Sequence, residues 1–113
     1  MDEERKSELK AVLIEAYNTL EATVQNYSTR SRIVYEAKIA YERAKSAVYT
    51  GGKIVGSNET QRKACEVAAL EREIKAIAAA EGDEDAAKLA YTLAKYEVEK
   101  VTWIIRIETG DPK

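Results

Sequence analysis

Residues 3–49 contain neither glycine nor proline, and their apolar side chains recur every seven residues. Residues at such spacing lie on one face of a helix, as they do in coiled coils. The first series is Leu13, Leu20, Tyr27, Val34, Tyr41 and Val48, and its companion series is Leu9, Ala16, Thr23, Arg30, Ala37 and Ala44. The pattern predicts one long helix. Its weakest stretch is 26–32, where Asn, Ser and Thr compete for backbone hydrogen bonds and a kink would fall.

The second half of the chain repeats this pattern. Its series are Leu70, Ile77, Glu84, Tyr91, Val98 and Ile105, with Ala80, Ala87, Ala94 and Val101 as companions. The sequence Glu81-Gly82-Asp83 resembles a helix stop followed by a new N-cap. The seven-residue phase nevertheless agrees on both sides of Gly82. A second long helix therefore either continues through Gly82 or kinks at 82–83 while keeping the same face.

Between the two patterned regions lies the glycine-containing stretch 50–64. Gly51, Gly52 and Gly56 permit positive φ angles, and Asn58 followed by Gln61 is a capping-box pattern that starts a new helix. Glycine with Lys53 before a helix is also found in phosphate-binding loops, but the Walker pattern requires Ser or Thr directly after the lysine. A plain reversing loop is the favoured interpretation. The predicted fold is all-α: one domain, 1–113, forming an antiparallel, coiled-coil-like helical hairpin.

Composition narrows the classes of function. The chain has 113 residues, a net charge of −2, no histidine and one cysteine. These features exclude a His-based triad and an ordinary zinc site, and no paired acidic motif for magnesium is present. We therefore expect no enzymatic activity, cofactor or metal. Cys65 is predicted to be a small buried apolar side chain. A charged amino terminus and the lack of an apolar run of about 18 residues predict a cytoplasmic protein without a membrane segment.

Apolar residues exceed a single face near both ends of the chain. A helix that is apolar around most of its girth must be buried on more than one side. Antiparallel pairing would bring these stretches together, so we expect oligomerisation into a helical bundle there. The alternative is that Trp103 covers a folded-back terminal segment. The predicted interface residues are Val12, Ile14, Val101, Trp103, Ile104, Ile105 and Ile107.

The charges are distributed unevenly. Residues 28–65 carry eight Lys or Arg and three acidic residues, whereas both flanking regions are net acidic. A basic turn region could contact a nucleic acid backbone or an acidic protein partner. Ordinary solvated charge with ion pairs between neighbouring helical turns is the favoured alternative. The candidate contact residues are Arg30, Arg32, Arg43, Lys45, Lys53, Arg62 and Lys63.

The segment Gly56-Ser57-Asn58-Glu59-Thr60-Gln61-Arg62-Lys63-Ala64 resembles the Gly-x-Asn-x-x-x-Arg-x-Ala turn of small helical-hairpin proteins of unknown function encoded by bacteriophages and prophages. The match is specific over these nine residues and only compositional elsewhere. The chain departs from that pattern in having Ser57 where lysine is usual, Gly51-Gly52 upstream, and isoleucine and tyrosine in place of leucine. The resemblance implies a phage accessory role in the host cytoplasm and supplies no catalytic residues.

These observations predict a non-enzymatic helical interaction module. The first hypothesis is a phage-type accessory protein that self-associates and binds a protein partner in DNA processing or in countering host defence. One alternative is nucleic-acid binding through the basic turn region. Another is a purely structural assembly protein. No residue pattern identifies the partner or a small-molecule pocket.

Overall fold

A computed structural model describes residues 2–110. Within this range the chain is all-helical and has no strand. It forms α1 (Glu3–Thr50), α2 (Glu59–Ala69) and α3 (Glu71–Thr109). Its residues divide into two compact units. Unit 1 comprises Met1–Ser28 with Asp85–Lys113, and unit 2 comprises Thr29–Glu84.

The two long helices are continuous at both places where the sequence allowed a kink. α1 continues through residues 26–32, and α3 continues through Gly82. The interruption lies instead at Leu70, between α2 and α3, where φ is −110° and ψ is 16°. Its amide still donates to the Glu66 carbonyl at 3.0 Å, and its carbonyl accepts from the Ile74 amide at 2.9 Å. The interruption is therefore a one-residue distortion, and the backbone hydrogen bonds continue through it.

The seven-residue pattern is confirmed as the buried face of the helices. Every residue in the predicted series is buried or half-buried. The buried apolar residues of α1 are Leu9, Ala16 and Val34, and those of the second half are Leu70, Ala80, Ala87, Ala94, Val98 and Val101. Leu70, at 1% exposure, is the one large side chain in the described range that is fully enclosed. Small alanines dominate the face of α3, which allows close approach of its backbone to α1.

In unit 1, the first part of α1 runs antiparallel to the last part of α3. The guanidinium of Arg5 donates two hydrogen bonds of 2.9 Å to the carboxylate of Glu108. Farther along, the rings of Tyr27 and Tyr91 lie 6.0 Å apart between centroids. The Arg5 guanidinium holds the pKa of Glu108 below its ordinary value.

In unit 2, the chain reverses as predicted. Gly52 and Gly56 take positive φ angles of 69° and 154°. Asn58 caps α2 by accepting from the Gln61 amide at 2.8 Å, while the Gln61 side-chain oxygen accepts from the Ser57 amide at 2.8 Å. The predicted capping box is therefore present, with the return bond one residue earlier than Asn58. After the reversal, Lys38 of α1 lies 3.8 Å from Glu81 of α3.

Candidate functional site

A buried carboxylate lies at the contact between α1 and α2 in unit 2. Glu66 is only 4% exposed, although acidic residues are almost never buried without partners. The Tyr49 hydroxyl donates to its Oε2 at 2.7 Å, and the Tyr41 hydroxyl donates to its Oε1 at 3.5 Å. The ammonium groups of Lys45 and Lys63 lie 3.5 Å and 3.9 Å from Oε1. We call these five residues the Glu66 cluster.

The Glu66 cluster stabilises the ionised acid. The Tyr49 hydrogen bond is the largest cause that lowers the pKa of Glu66, burial opposes it, and Lys63 and Lys45 lower it further. In return, the hydrogen bond to Glu66 and burial raise the pKa of Tyr49. The nearby carboxylate raises the pKa of Lys45. Glu66 is therefore held as a carboxylate by two hydroxyls and two ammonium groups, an arrangement that fastens α2 to α1.

Glu66 is not among the site residues predicted from the sequence, although its position carries a signal of burial. The companion series Ala80, Ala87, Ala94 and Val101, extended two steps towards the turn, passes through Glu73 and then Glu66. The heptad position of Glu66 therefore indicated burial, and the tyrosines of α1 could have been proposed as its partners.

The structure places most of the predicted nucleic-acid contacts in ion pairs within unit 2. Arg30 lies 3.9 Å from Asp83, and Arg32 lies 3.7 Å from Glu36. Lys45 and Lys63 belong to the Glu66 cluster. Four of the seven candidate cations are thus beside carboxylates, which reduces the positive charge they present to a polyanion. Nucleic-acid binding stays a prediction.

The remaining three candidate cations differ from one another. Arg62 donates to the Gly56 carbonyl at 3.4 Å and so closes the loop. The backbone carbonyl of Lys53 lies 3.3 Å from the Sγ of Cys65. Cys65 is half-buried, whereas the sequence predicted a buried side chain. Within residues 2–110, the side chains of Arg43 and Lys53 lie within 4.0 Å of no carboxylate.

The predicted interface residues all lie in unit 1, but not all of them face outwards. Trp103 and Ile107 are 56% and 75% exposed, and Val12 and Ile14 are also exposed. Ile104 and Ile105 are half-buried. Val101 is 2% exposed, so it belongs to the core of the chain itself and is not accessible to a partner.

A second apolar stripe runs along α3 within unit 1. It contains Leu89, Leu93, Tyr96, Lys100, Trp103 and Ile107. We call it the outer seam. Its five apolar members are each more than half exposed. Each seam residue lies two positions from a buried or half-buried residue of the inner face, such as Trp103 from Val101. Residues two apart point to different sides of a helix, so the outer seam is opposite the face that packs on α1.

Comparison of the chain with protein-family models, with curated proteins and with solved structures found no match. The resemblance of residues 56–64 to phage-encoded hairpins stays a prediction. Within residues 2–110, no group of three or more potential metal-ligating side chains was found. No helix in the described range is long and apolar enough to cross a membrane.

Proposed function

We propose that this chain is a non-enzymatic interaction module that associates with copies of itself through the exposed apolar surface of unit 1. The observation that carries this proposal is the exposure of Trp103 and Ile107 beside each other on α3. Tryptophan is among the residues most enriched in the energetic centres of protein interfaces. The guanidinium carbon of Arg106 lies 5.4 Å from the Trp103 ring centroid, and Trp103 is still 56% exposed.

The limited core supports the same proposal. Among the described residues only one large side chain, Leu70, is fully enclosed, and most other buried apolar residues are alanine or valine. Burial of apolar surface is the main favourable contribution to folding. Association through the exposed apolar residues of unit 1 would add burial that the separate chain lacks.

The proposal is tested by measuring the mass of the full-length protein in solution. Sedimentation velocity at micromolar concentration should show a species larger than the monomer of 12.6 kDa. The double substitution Trp103→Ser with Ile107→Ser should raise the dissociation constant at least about tenfold, because it removes two exposed apolar anchors. Helix content measured by circular dichroism should not change, since neither side chain belongs to the inner core.

Tyr35→Ser is the matched control, because Tyr35 is 66% exposed but lies in unit 2. The dissociation constant of the Tyr35→Ser dimer should equal that of the unsubstituted protein. A native protein that is monomeric throughout the micromolar range would contradict the proposal. Equal weakening by the control would show that the apolar residues of unit 1 have no special role.

A further inference from the structure

The intervals between the residues of the outer seam are the same whether they are counted from its first residue or from its last. Its members, from Leu89 to Ile107, are separated by four, three, four, three and four residues. A stripe with this symmetry can pack against a reversed copy of itself so that every member meets another member. In antiparallel coiled coils, the two kinds of heptad core position meet each other in this way.

We propose that the outer seam packs antiparallel against the outer seam of a second copy of the chain. Leu89 would then lie opposite Ile107, Leu93 opposite Trp103, and Tyr96 opposite Lys100 of that copy. The two-fold axis crosses the contact midway between Tyr96 and Lys100, at the level of residue 98. This inference rests on the proposed self-association and specifies its geometry.

Lys100 determines the direction of the pairing. In a parallel, in-register pair, the two Lys100 ammonium groups would face each other, and like charges in contact are unfavourable. The antiparallel pair places each Lys100 beside a Tyr96 ring, where a cation is attracted to the aromatic face. Each chain brings two positive and two negative charges to the region around the axis. They belong to Lys95, Lys100, Glu97 and Glu99. In the single chain, Lys100 already lies 3.9 Å from Glu97.

The chain exposes more surface than a compact monomer of its mass. The accessible surface is 8272 Å². A compact monomer of 12.6 kDa is expected to expose only about 6,200 Å². The excess is more than twice the roughly 800 Å² that each partner contributes to a stable interface of standard size. One self-complementary contact along α3 is therefore well within the surface that this chain leaves uncovered.

The test places opposite charges at one proposed pair of facing positions, which we call a layer: residue 93 of one copy and residue 103 of the other. Leu93→Glu alone and Trp103→Lys alone should each weaken association at least about tenfold, because each places two unpaired charges in the dimer. Mixing the two variants should restore it. In the mixed antiparallel dimer, the introduced carboxylate at position 93 faces the introduced ammonium at position 103 of the other chain, while the native Leu93 and Trp103 still meet in the symmetry-related layer. The mixed dimer should be at least about tenfold tighter than either variant alone.

The matched control is a mixture of Leu93→Glu with Ile107→Lys, whose new charges would fall in different layers. It should remain as weak as the separate variants. Sedimentation velocity measures all of these samples, and circular dichroism checks that each variant is folded. Rescue in the control mixture, or no rescue in the Leu93/Trp103 mixture, would overturn the antiparallel seam while a dimeric native protein leaves self-association intact. A monomeric native protein would overturn both proposals.

Discussion

At the scale of single residues, the least expected feature is a carboxylate inside an apolar face. Burial of an ionised group is costly unless hydrogen bonds and opposite charges compensate for lost hydration. Glu66 has both, from Tyr49, Tyr41, Lys45 and Lys63. Since Tyr49 is the largest cause of its lowered pKa, the hydroxyl of Tyr49 is the group whose removal should be felt most.

We predict that Tyr49→Phe lowers the free energy of unfolding at pH 7 and weakens its dependence on acid pH. The folded pKa of Glu66 lies below its reference value of 4.5. Its ionised form therefore contributes stability above about pH 4.5, which is lost as the pH falls through the folded pKa. Removal of the hydroxyl should move that pKa upwards and reduce the contribution.

Urea unfolding at a series of pH values tests this prediction. The difference in stability between the native protein and Tyr49→Phe should shrink as the pH falls below about 4.5. Tyr35→Phe is the control, since Tyr35 is exposed and outside the Glu66 cluster. A constant difference across the whole pH range would disprove the link between Tyr49 and ionised Glu66.

At the scale of helices, two glycines with similar sequence signals have different structural roles. Gly82 lies within α3, and a Cβ added there would meet no atom within 4 Å. Gly56 lies in the loop with φ of 154°, and an added Cβ would lie 2.8 Å from the Gln61 Cβ and 2.9 Å from the Arg62 amide nitrogen. One glycine is thus replaceable, and the other is required by the turn.

We predict that Gly82→Ala increases the free energy of unfolding by about 0.5–1 kcal/mol, because alanine is the better helix former. Gly56→Ala should decrease it by about 1–3 kcal/mol through backbone strain and crowding. Chemical denaturation of both variants at one protein concentration measures the two effects. Destabilisation by Gly82→Ala would mean that the glycine has a role in association or packing that the single chain does not reveal.

The sequence predicted the helices and their inner face because both depend on local spacing. It could not choose between continuity and a kink at Gly82, since the helical preference lost by one glycine is small beside tertiary packing. The distortion at Leu70 had no sequence signal, as it carries neither glycine nor proline and occurs at the most enclosed side chain. Of the outer seam, only Trp103 and Ile107 were among the predicted interface residues, because the spacing of Leu89, Leu93 and Tyr96 is masked by the stronger inner pattern.

At the scale of the whole molecule, stability and association should be linked. A partner that binds only the folded state stabilises it by mass action. If exposed apolar surface of unit 1 is covered by a second copy, unfolding of the dimer produces two separate chains. The midpoint of thermal unfolding then becomes a function of protein concentration.

We predict that the melting temperature rises by several degrees between about 1 and 100 µM protein, because dimerisation stabilises the folded chain. Circular dichroism in cells of different path length measures it. Trp103→Ser with Ile107→Ser should show a smaller rise over the same concentration range, because its dissociation constant is higher. A native protein with a constant melting temperature would argue against coupled folding and association.

The buried Glu66 has a consequence for how the helices are aligned. Alanines at 80, 87 and 94 recur every seven residues, so sliding α2 and α3 together along α1 by two helical turns would present a nearly identical small-residue surface. The same translation would carry Glu66 away from Tyr49 and leave a charge against hydrocarbon. A single acid thus distinguishes one alignment from its neighbours, where the repeating alanines by themselves would tolerate several.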